Sequence, residues 1–576
     1  MVFLNFSSRF LINTSKFLAR RTKLINKYRF VHWNPPFYSS ARKTFKSHEA
    51  SKIQRTVRHF SSNIATQDEM KESKSRCSYV STFQQHMQMR QRQARCSVLI
   101  ELSNKNDIFS ATAACEEYGD VKSAYSYSGE SQNVFLLIEF ANEESVKQLL
   151  LNCSCKNILD VFTTFSRIIR FDKKFEKSTP KTALTEEEII LESVKSKRKT
   201  VSELIEHIYV SEKLSELDTR LRFFFCEFLK DAITGLFPYC DALPFGSSVN
   251  GFGKQGCDLD IMIRLYPSQV VQNTEFHFLN KTCIGNEKEL QKRTIYALGT
   301  LFSTFLPGFY SVQKILHARV PIIKFSHKIT GMDCDVSVNN MSAILMSEIL
   351  YFCGEIDSRV RPLLYAVKRW AKEANVTHSA PGGWITNFGL SLLVIFFLQN
   401  RPVPILPSLI DALQIVGEET MPNFGVEYLT PISDLQTKAS LNTESLAMLL
   451  KEFLNFLGSH PFQNKHLSVL TGKASTLEES CYPIWLQYPV EEDKNVTKNV
   501  SHSDCYELCE KARLSSKFIA SNMGVKCTAP SDFPRILGIS TLLKTFSKKS
   551  NEVDLNKLLL NEKNRNSNTR NRQKRT

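Results

Sequence analysis

The sequence predicts an α+β protein, and three observations carry that prediction. Short apolar runs at 96–102 (CSVLIEL) and 133–140 (NVFLLIEF) stand among helical segments in the order β-α-β-β-α. Strand-like pieces recur at 258–265, 320–327 and 332–338, and helical spacing dominates from Asn339 to about Leu457. The 576 residues are enough for several domains, and 42% hydrophobic with 11% aromatic residues is an ordinary globular content, sufficient for a sizeable core.

Charge is concentrated at the two ends. The formal net charge is +16, which by itself points to an acidic partner. Residues 1–60 hold thirteen Lys/Arg against one acid, Glu49, and the tail from Lys548 holds nine against three. Between them the chain is nearly neutral, with 52 basic and 54 acidic residues. The opening segment MVFLNFSSRFLINTSKFLARRTKLINKYRF interleaves Arg, Lys and Ser with Phe and Leu, the composition of a mitochondrial transit peptide. Arg58 lies two residues before Phe60 in RHFSSN, so cleavage is expected after Phe60, with 1–60 as the transit peptide and the matrix as destination. A basic arm for nucleic acid is the alternative, but it would not need the interleaved Phe and Leu. The tail 549–576 is basic and Asn-rich, and is expected to be disordered.

Fifteen cysteines form no CxxC pair, so free thiols are expected rather than disulfides or zinc; CYELC (505–509) has the spacing of helix packing. The apolar run Trp384–Leu398 is broken by Thr386 and Asn387 and is too short to span a bilayer. No membrane insertion is expected.

Residues 61–92 read as a polar stretch. The β-α-β-β-α order that follows, over 93–165 with a last strand expected near 157–163, resembles the RNA-recognition-type ferredoxin-like fold. Where that fold stacks bases on aromatic rings, Leu99 and Leu137 are aliphatic and Phe135 alone is in register. An exposed apolar sheet face marks a protein contact, so this domain is expected to serve self-association, as a homodimer, ahead of RNA binding. A lysine-rich linker runs over about 172–200, and helical periodicity resumes at Val201.

The chemistry centres on FGSSVNGFGKQGCDLDIMI (245–263). Strand alternation sends Asp258 and Asp260 to one face and Leu259 to the other. Two adjacent carboxylates repel, and one is protonated unless a cation neutralises both. Hard oxygens at this spacing suit Mg²⁺ or Mn²⁺. A lone DxD is more often a solvated turn; here it ends a glycine-rich loop and opens an apolar strand. GMDCDVSVNN (331–340) supplies a third acid, Asp335, with Asp333 on the same face. Gly246 and Ser247 let the backbone approach phosphate oxygens. Two cations among three carboxylates can activate a ribose 3′-hydroxyl and stabilise a pyrophosphate leaving group, which is nucleotidyl transfer.

These ordered motifs resemble the poly(A) polymerase and terminal uridylyltransferase group of the DNA-polymerase-β-like nucleotidyltransferases, over about residues 200–525. The resemblance implies a nucleotidyltransferase palm over 200–340 and a helical central domain over 341–525. It implies Asp258, Asp260 and Asp335 as catalytic metal ligands, and Gly246 and Ser247 at the nucleotide. In DVSVNN it implies Asn340 at the nucleotide sugar, with Ser347 at a small-hydroxyl position. In VKRWAK it implies Lys368 and Lys372 near the triphosphate; in ITNFGLSLLVIFFLQ, Asn387 at the triphosphate and Phe388 stacked on the base. YPIWLQYPVEEDKNVTKNVS (482–501) resembles the nucleotide-recognition segment. Tyr488 there replaces an acid, and Lys494 replaces a His that uridylyl-specific relatives use on uracil; Lys494 is expected to swing into solvent and leave room for a purine.

Without the motif context several of these residues have blander explanations. Lys368 and Lys372 would be solvated surface and Phe388 core, whereas Asn387 inside an apolar helix would need hydrogen-bond partners. The activity implied is template-independent transfer of AMP from ATP to RNA 3′ ends. A terminal uridylyltransferase is the near alternative, an inactive RNA-granule scaffold the alternative of a different class, and a CCA-adding enzyme the more distant one.

Overall fold

In the computed structural model the described residues are 81–129, 133–154, 166–172, 199–266, 286–378, 380, 382–416 and 425–546. The transit peptide, the expected strand at 157–163, most of the linker and the basic tail lie outside them.

The first described element is a helix that the polar stretch concealed. In α1 (Thr82–Arg95) the Ser81 hydroxyl caps the first turn, and Phe83, Met87 and Ala94 form a buried stripe. The rest of the helix is mostly Gln and Arg, with Thr82, His86 and Met89, so its apolar period is thin.

The small domain follows as β1 (Ser97–Leu102), α2 (Ile108–Glu116), β2 (Val121–Ser128), β3 (Val134–Phe140), α3 (Glu143–Leu151) and β4 (Ile168–Phe171). Its sheet order, β2-β3-β1-β4, is that of a ferredoxin-like fold. One strand direction departs from it: β4 pairs with β1 in parallel, Leu99 opposite Ile168.

The helices α4 (Val201–Glu212) and α5 (Glu216–Ile233) lead into the palm, each opened by a capping box, at Thr200/Glu203 and Ser215/Asp218. The palm sheet comprises β5 (Cys240–Phe245), β6 (Leu259–Leu265), β7 (Phe309–Ile315), β8 (Ile322–His327) and β9 (Met332–Val338), in the order β5-β6-β9-β8-β7. The helix α6 (Glu287–Phe305) joins α5 behind this sheet, where Phe225, Phe228, Ile295, Leu298 and Phe302 pack on Ile261, Ile263 and Val336.

One face of the small sheet is not free. Leu99, Tyr125, Phe135 and Leu137 pack against Leu221 and Phe224 of α5, and Phe224 is fully buried. Ion pairs Arg220–Glu139 and Arg167–Asp231 flank this joint. The expectation of an exposed self-association face at Leu99 and Leu137 is therefore corrected: the chain's own palm helix covers it.

The central domain is built on α7 (Met341–Ile356), α8 (Val360–Glu373) and α9 (Asn387–Gln399), then a short α10 (Leu409–Ala412), the hairpin β10 (Leu413–Val416) with β11 (Gly425–Tyr428), α11 (Ile432–Ala439) and α12 (Leu446–Ser459). It is not purely helical. A sheet of four short strands, β12 (Lys465–Ser468), β13 (Lys473–Thr476), β14 (Trp485–Tyr488) and β15 (Glu491–Asn495), precedes α13 (His502–Asn522) and α14 (Phe533–Ile536). Strands of four or five residues carry too few alternations to be read from sequence. Among the described residues the cysteines are free, and no helix is long and apolar enough to cross a membrane.

Candidate active site

The site begins where β5 ends. Gly246 takes φ +65°, a left-handed conformation that favours glycine, and opens a tight turn through Ser248. A Cβ built on Gly246 would stand 2.7 Å from Asp260 Oδ2, so the backbone and this carboxylate are packed without room for a side chain. The Gly246 N–H donates to Ser347 Oγ at 2.7 Å, and that hydroxyl donates to the Ala343 carbonyl. Ser347 is 1% exposed, its hydroxyl donating once and accepting once. The structure places it beneath the turn, against the Gly246 amide.

The loop back to Asp258 is anchored on three sides. Arg222, itself buried, donates to Ser248 Oγ at 3.2 Å and to the Cys257 carbonyl at 2.6 Å. The Tyr365 hydroxyl donates to the Gly253 carbonyl, and Lys368 Nζ to the Phe252 carbonyl at 3.3 Å. Both come from α8, whose positions 361, 365, 368 and 372 form one helical stripe. Burial pulls the Lys368 ammonium down to about 8. Lys372, one turn on, is exposed.

The carboxylates meet through strand register. Asp260 on β6 lies directly opposite Asp335 on β9, and Lys324 on β8 lies opposite Asp335 from the other side. Asp258, just before β6, is exposed. Lys324 Nζ reaches Asp335 Oδ1 at 3.2 Å and Asp258 Oδ2 at 3.7 Å. Asp333 is level with Ser326, whose hydroxyl it accepts, and so falls out of the Asp260–Asp335–Lys324 row. Burial, then the charges of Asp335 and Asp258, push the Asp260 carboxyl up to about 7. Burial also raises Asp335, against the pull of Lys324.

This donor set fits a divalent cation. It offers hard oxygens, and with all three carboxylates ionised beside one ammonium the cluster would carry two excess negative charges for a cation to neutralise. Among the described residues, no three ligand side chains already converge at metal distance; the Lys324 ammonium stands between Asp335 and Asp258 instead.

The far wall comes from the central domain. Asn340 precedes α7, and its side chain accepts from Ser342 Oγ at 3.3 Å. Asn387 is not the buried amide the sequence suggested: Thr386 caps α9, so Asn387 is its first residue and is exposed. Phe388 packs edge-on to Tyr488 with centroids 6.1 Å apart, and the Tyr488 hydroxyl donates to the Ser342 carbonyl. Asn495 is buried and tied to the Leu486 and Thr497 amides and the Ile484 carbonyl, so it builds the recognition segment. Lys494 does not swing into solvent; it pairs with Glu491, which also holds Arg319 at 2.9 Å.

Arg222, Tyr365 and Lys324 belong to none of the sequence motifs. Arg222 interrupts an apolar helical run, and a charge on a buried face was the available signal. Lys324 had none, since its proximity to Asp335 is a property of strand pairing.

A family described as "Poly(A) RNA polymerase, mitochondrial-like, central palm domain" matches residues 201–355. The human mitochondrial poly(A) RNA polymerase is 32% identical over 452 residues, which cover 75% of this chain and 76% of that protein. The chain belongs to the mitochondrial poly(A) RNA polymerase family. The Drosophila melanogaster member is 31% identical over 461 residues, with 75% of each chain covered. Among solved structures, a family member named mtPAP in complex with ATPγS superposes with a TM-score of 0.66 at 30% identity, covering 79% of this chain and 99% of that one. Membership makes the five-stranded sheet a nucleotidyltransferase palm and the chain a polynucleotide adenylyltransferase, as the motif order predicted.

Proposed function

We propose that this chain adds AMP from ATP, without a template, to RNA 3′-hydroxyls in the mitochondrial matrix, after removal of residues 1–60. The observation that carries this is the row in which Asp260 and Asp335 face each other across β6 and β9, beside Asp258 and under the Gly246 turn. In this proposal Asp258, Asp260 and Asp335 hold Mg²⁺ or Mn²⁺, which when bound supplies charge stabilisation at the reacting phosphate and lowers the pKa of the attacking hydroxyl. The Gly246–Ser247 turn faces the triphosphate, with Lys368, Lys372 and Asn387 supplying positive charge and donors. Asn340 contacts the sugar. Phe388, steadied by Tyr488, stacks on the base.

Stacking does not choose among bases. Crystal structures of mtPAP hold GTP, UTP and CTP as well as ATPγS, so occupancy alone does not decide which nucleotide is used. The deciding experiment gives purified mature protein, its first residue expected to be Ser61, an RNA primer and each nucleotide separately. ATP is expected to have the highest kcat/KM. Lys494→His is expected to raise UTP use relative to ATP about fivefold, because it breaks the Glu491 pair and offers uracil a hydrogen-bond partner. A wild type that prefers UTP makes the chain a uridylyltransferase, and a folded protein that incorporates nothing makes it a scaffold.

Self-association is also part of the proposal, through another face of the small domain. Phe109 on α2 and Leu151 on α3 are 56% and 64% exposed, large apolar groups on its helical side. Sedimentation is expected to show a dimer that Phe109→Glu with Leu151→Glu dissociates; a wild-type monomer would end this part.

A further inference from the structure

The ammonium of Lys324 sits between two of the three carboxylates, and its strand position is fixed by the sheet. Phe245, Asp260, Asp335 and Lys324 are successive register partners across β5, β6, β9 and β8, so their side chains rise on one face as a single row. From the end of that row Lys324 touches two of the three carboxylates, Asp335 at 3.2 and 3.4 Å from its two oxygens and Asp258 at 3.7 Å. The charge of Asp333 adds a weaker attraction.

An ordinary surface ion pair joins two charges and contributes little. This one bridges two strands of a like-charged cluster whose members cannot all remain ionised side by side without a cation. We infer that Lys324 is the resident counter-cation of this centre, holding the carboxylates together before loading and competing with the incoming divalent ion for Asp335 and Asp258. The inference rests on the metal-site assignment of the preceding section. The side chain is suited to such exchange. It is 44% exposed and carries a four-carbon stem, so the ammonium can leave for solvent without disturbing the strand. Arginine in its place would grip the same carboxylates through two nitrogens and yield them less readily.

Competition makes a prediction opposite to that for a supporting residue. Protein stripped of metal is titrated with Mn²⁺ alone, without nucleotide, by calorimetry, and its melting temperature is followed with and without the ion. Lys324→Met is expected to bind Mn²⁺ about tenfold more tightly than wild type, because a unit charge has left the site. Its metal-free melting temperature is expected to fall, and its gain on saturation with Mn²⁺ to exceed that of wild type. Lys324→Arg is expected to bind more weakly than wild type. Asp335→Asn serves as the control for the site itself. If Mn²⁺ binding survives in Asp335→Asn, the metal-site assignment fails. If Asp335→Asn abolishes binding but Lys324→Met leaves it equal or weaker, the counter-cation role alone is overturned.

Discussion

Asp335→Asn is expected to reduce AMP incorporation by about 10³-fold or more, with Asp258→Asn and Asp260→Asn similarly affected. The substitution keeps shape and removes one charge, so the loss falls on the cation-dependent stabilisation of the transition state, worth several kcal/mol. Folding is not expected to suffer. The carboxylates repel one another, burial already disfavours the charged form of Asp335, and its Lys324 partner remains partly solvated. Circular dichroism and melting should therefore match wild type while primer extension is lost. Asp333→Asn is the internal comparison: its side chain is held by Ser326 outside the row, and activity within about twofold of wild type is expected. Full extension by Asp335→Asn with loss in Asp333→Asn would exchange the two assignments.

Gly246→Ala is expected to lower kcat about 100-fold while leaving most of the stability in place. The new methyl would meet Asp260 Oδ2 at 2.7 Å, and alanine at φ +65° is strained by about 1 kcal/mol. Strain of that size lowers the melting temperature by about 3 °C. The larger consequence is local, since the carboxylate must move away from its place opposite Asp335, and displacements near 1 Å at a reacting centre cost about 10²-fold. Single-turnover extension at saturating ATP separates this from weaker binding. A variant with kcat within threefold of wild type would show that the close approach of turn and carboxylate has no bearing on the chemistry.

The proposed metal ligands, set by strand patterning, were the most legible in the sequence. Alternation alone places Asp258 and Asp260 on one face, and the apolar segment around Asp335 reads as a strand for the same reason. Helical positions were less so. Spacing puts Ser347 on α7 but does not say that its hydroxyl is buried against Gly246. The run from Trp384 reads as one helix, yet Thr386 caps it, and that cap turns Asn387 from an interior amide into an exposed first-turn residue. Properties of pairing between distant segments were not legible at all. Lys324 is eleven residues from Asp335 in sequence, Glu491 finds Arg319 across the fold, and neither contact leaves a local pattern.

The covered sheet face illustrates the same limit and has a consequence for the substitutions open to this chain. Leu99 and Leu137 occupy positions where a ring would create a base platform, but Leu221 and Phe224 already fill the space above them. A tyrosine introduced at either position would overpack that joint, at a cost of about 1–3 kcal/mol, before any nucleotide could reach it. A base-reading sheet is therefore out of reach of single substitutions here: it would require α5 to withdraw first, and α5 also carries Arg222, one of the anchors of the glycine loop. Variation at Leu99 and Leu137 is thus filtered by the integrity of the joint with the palm helix.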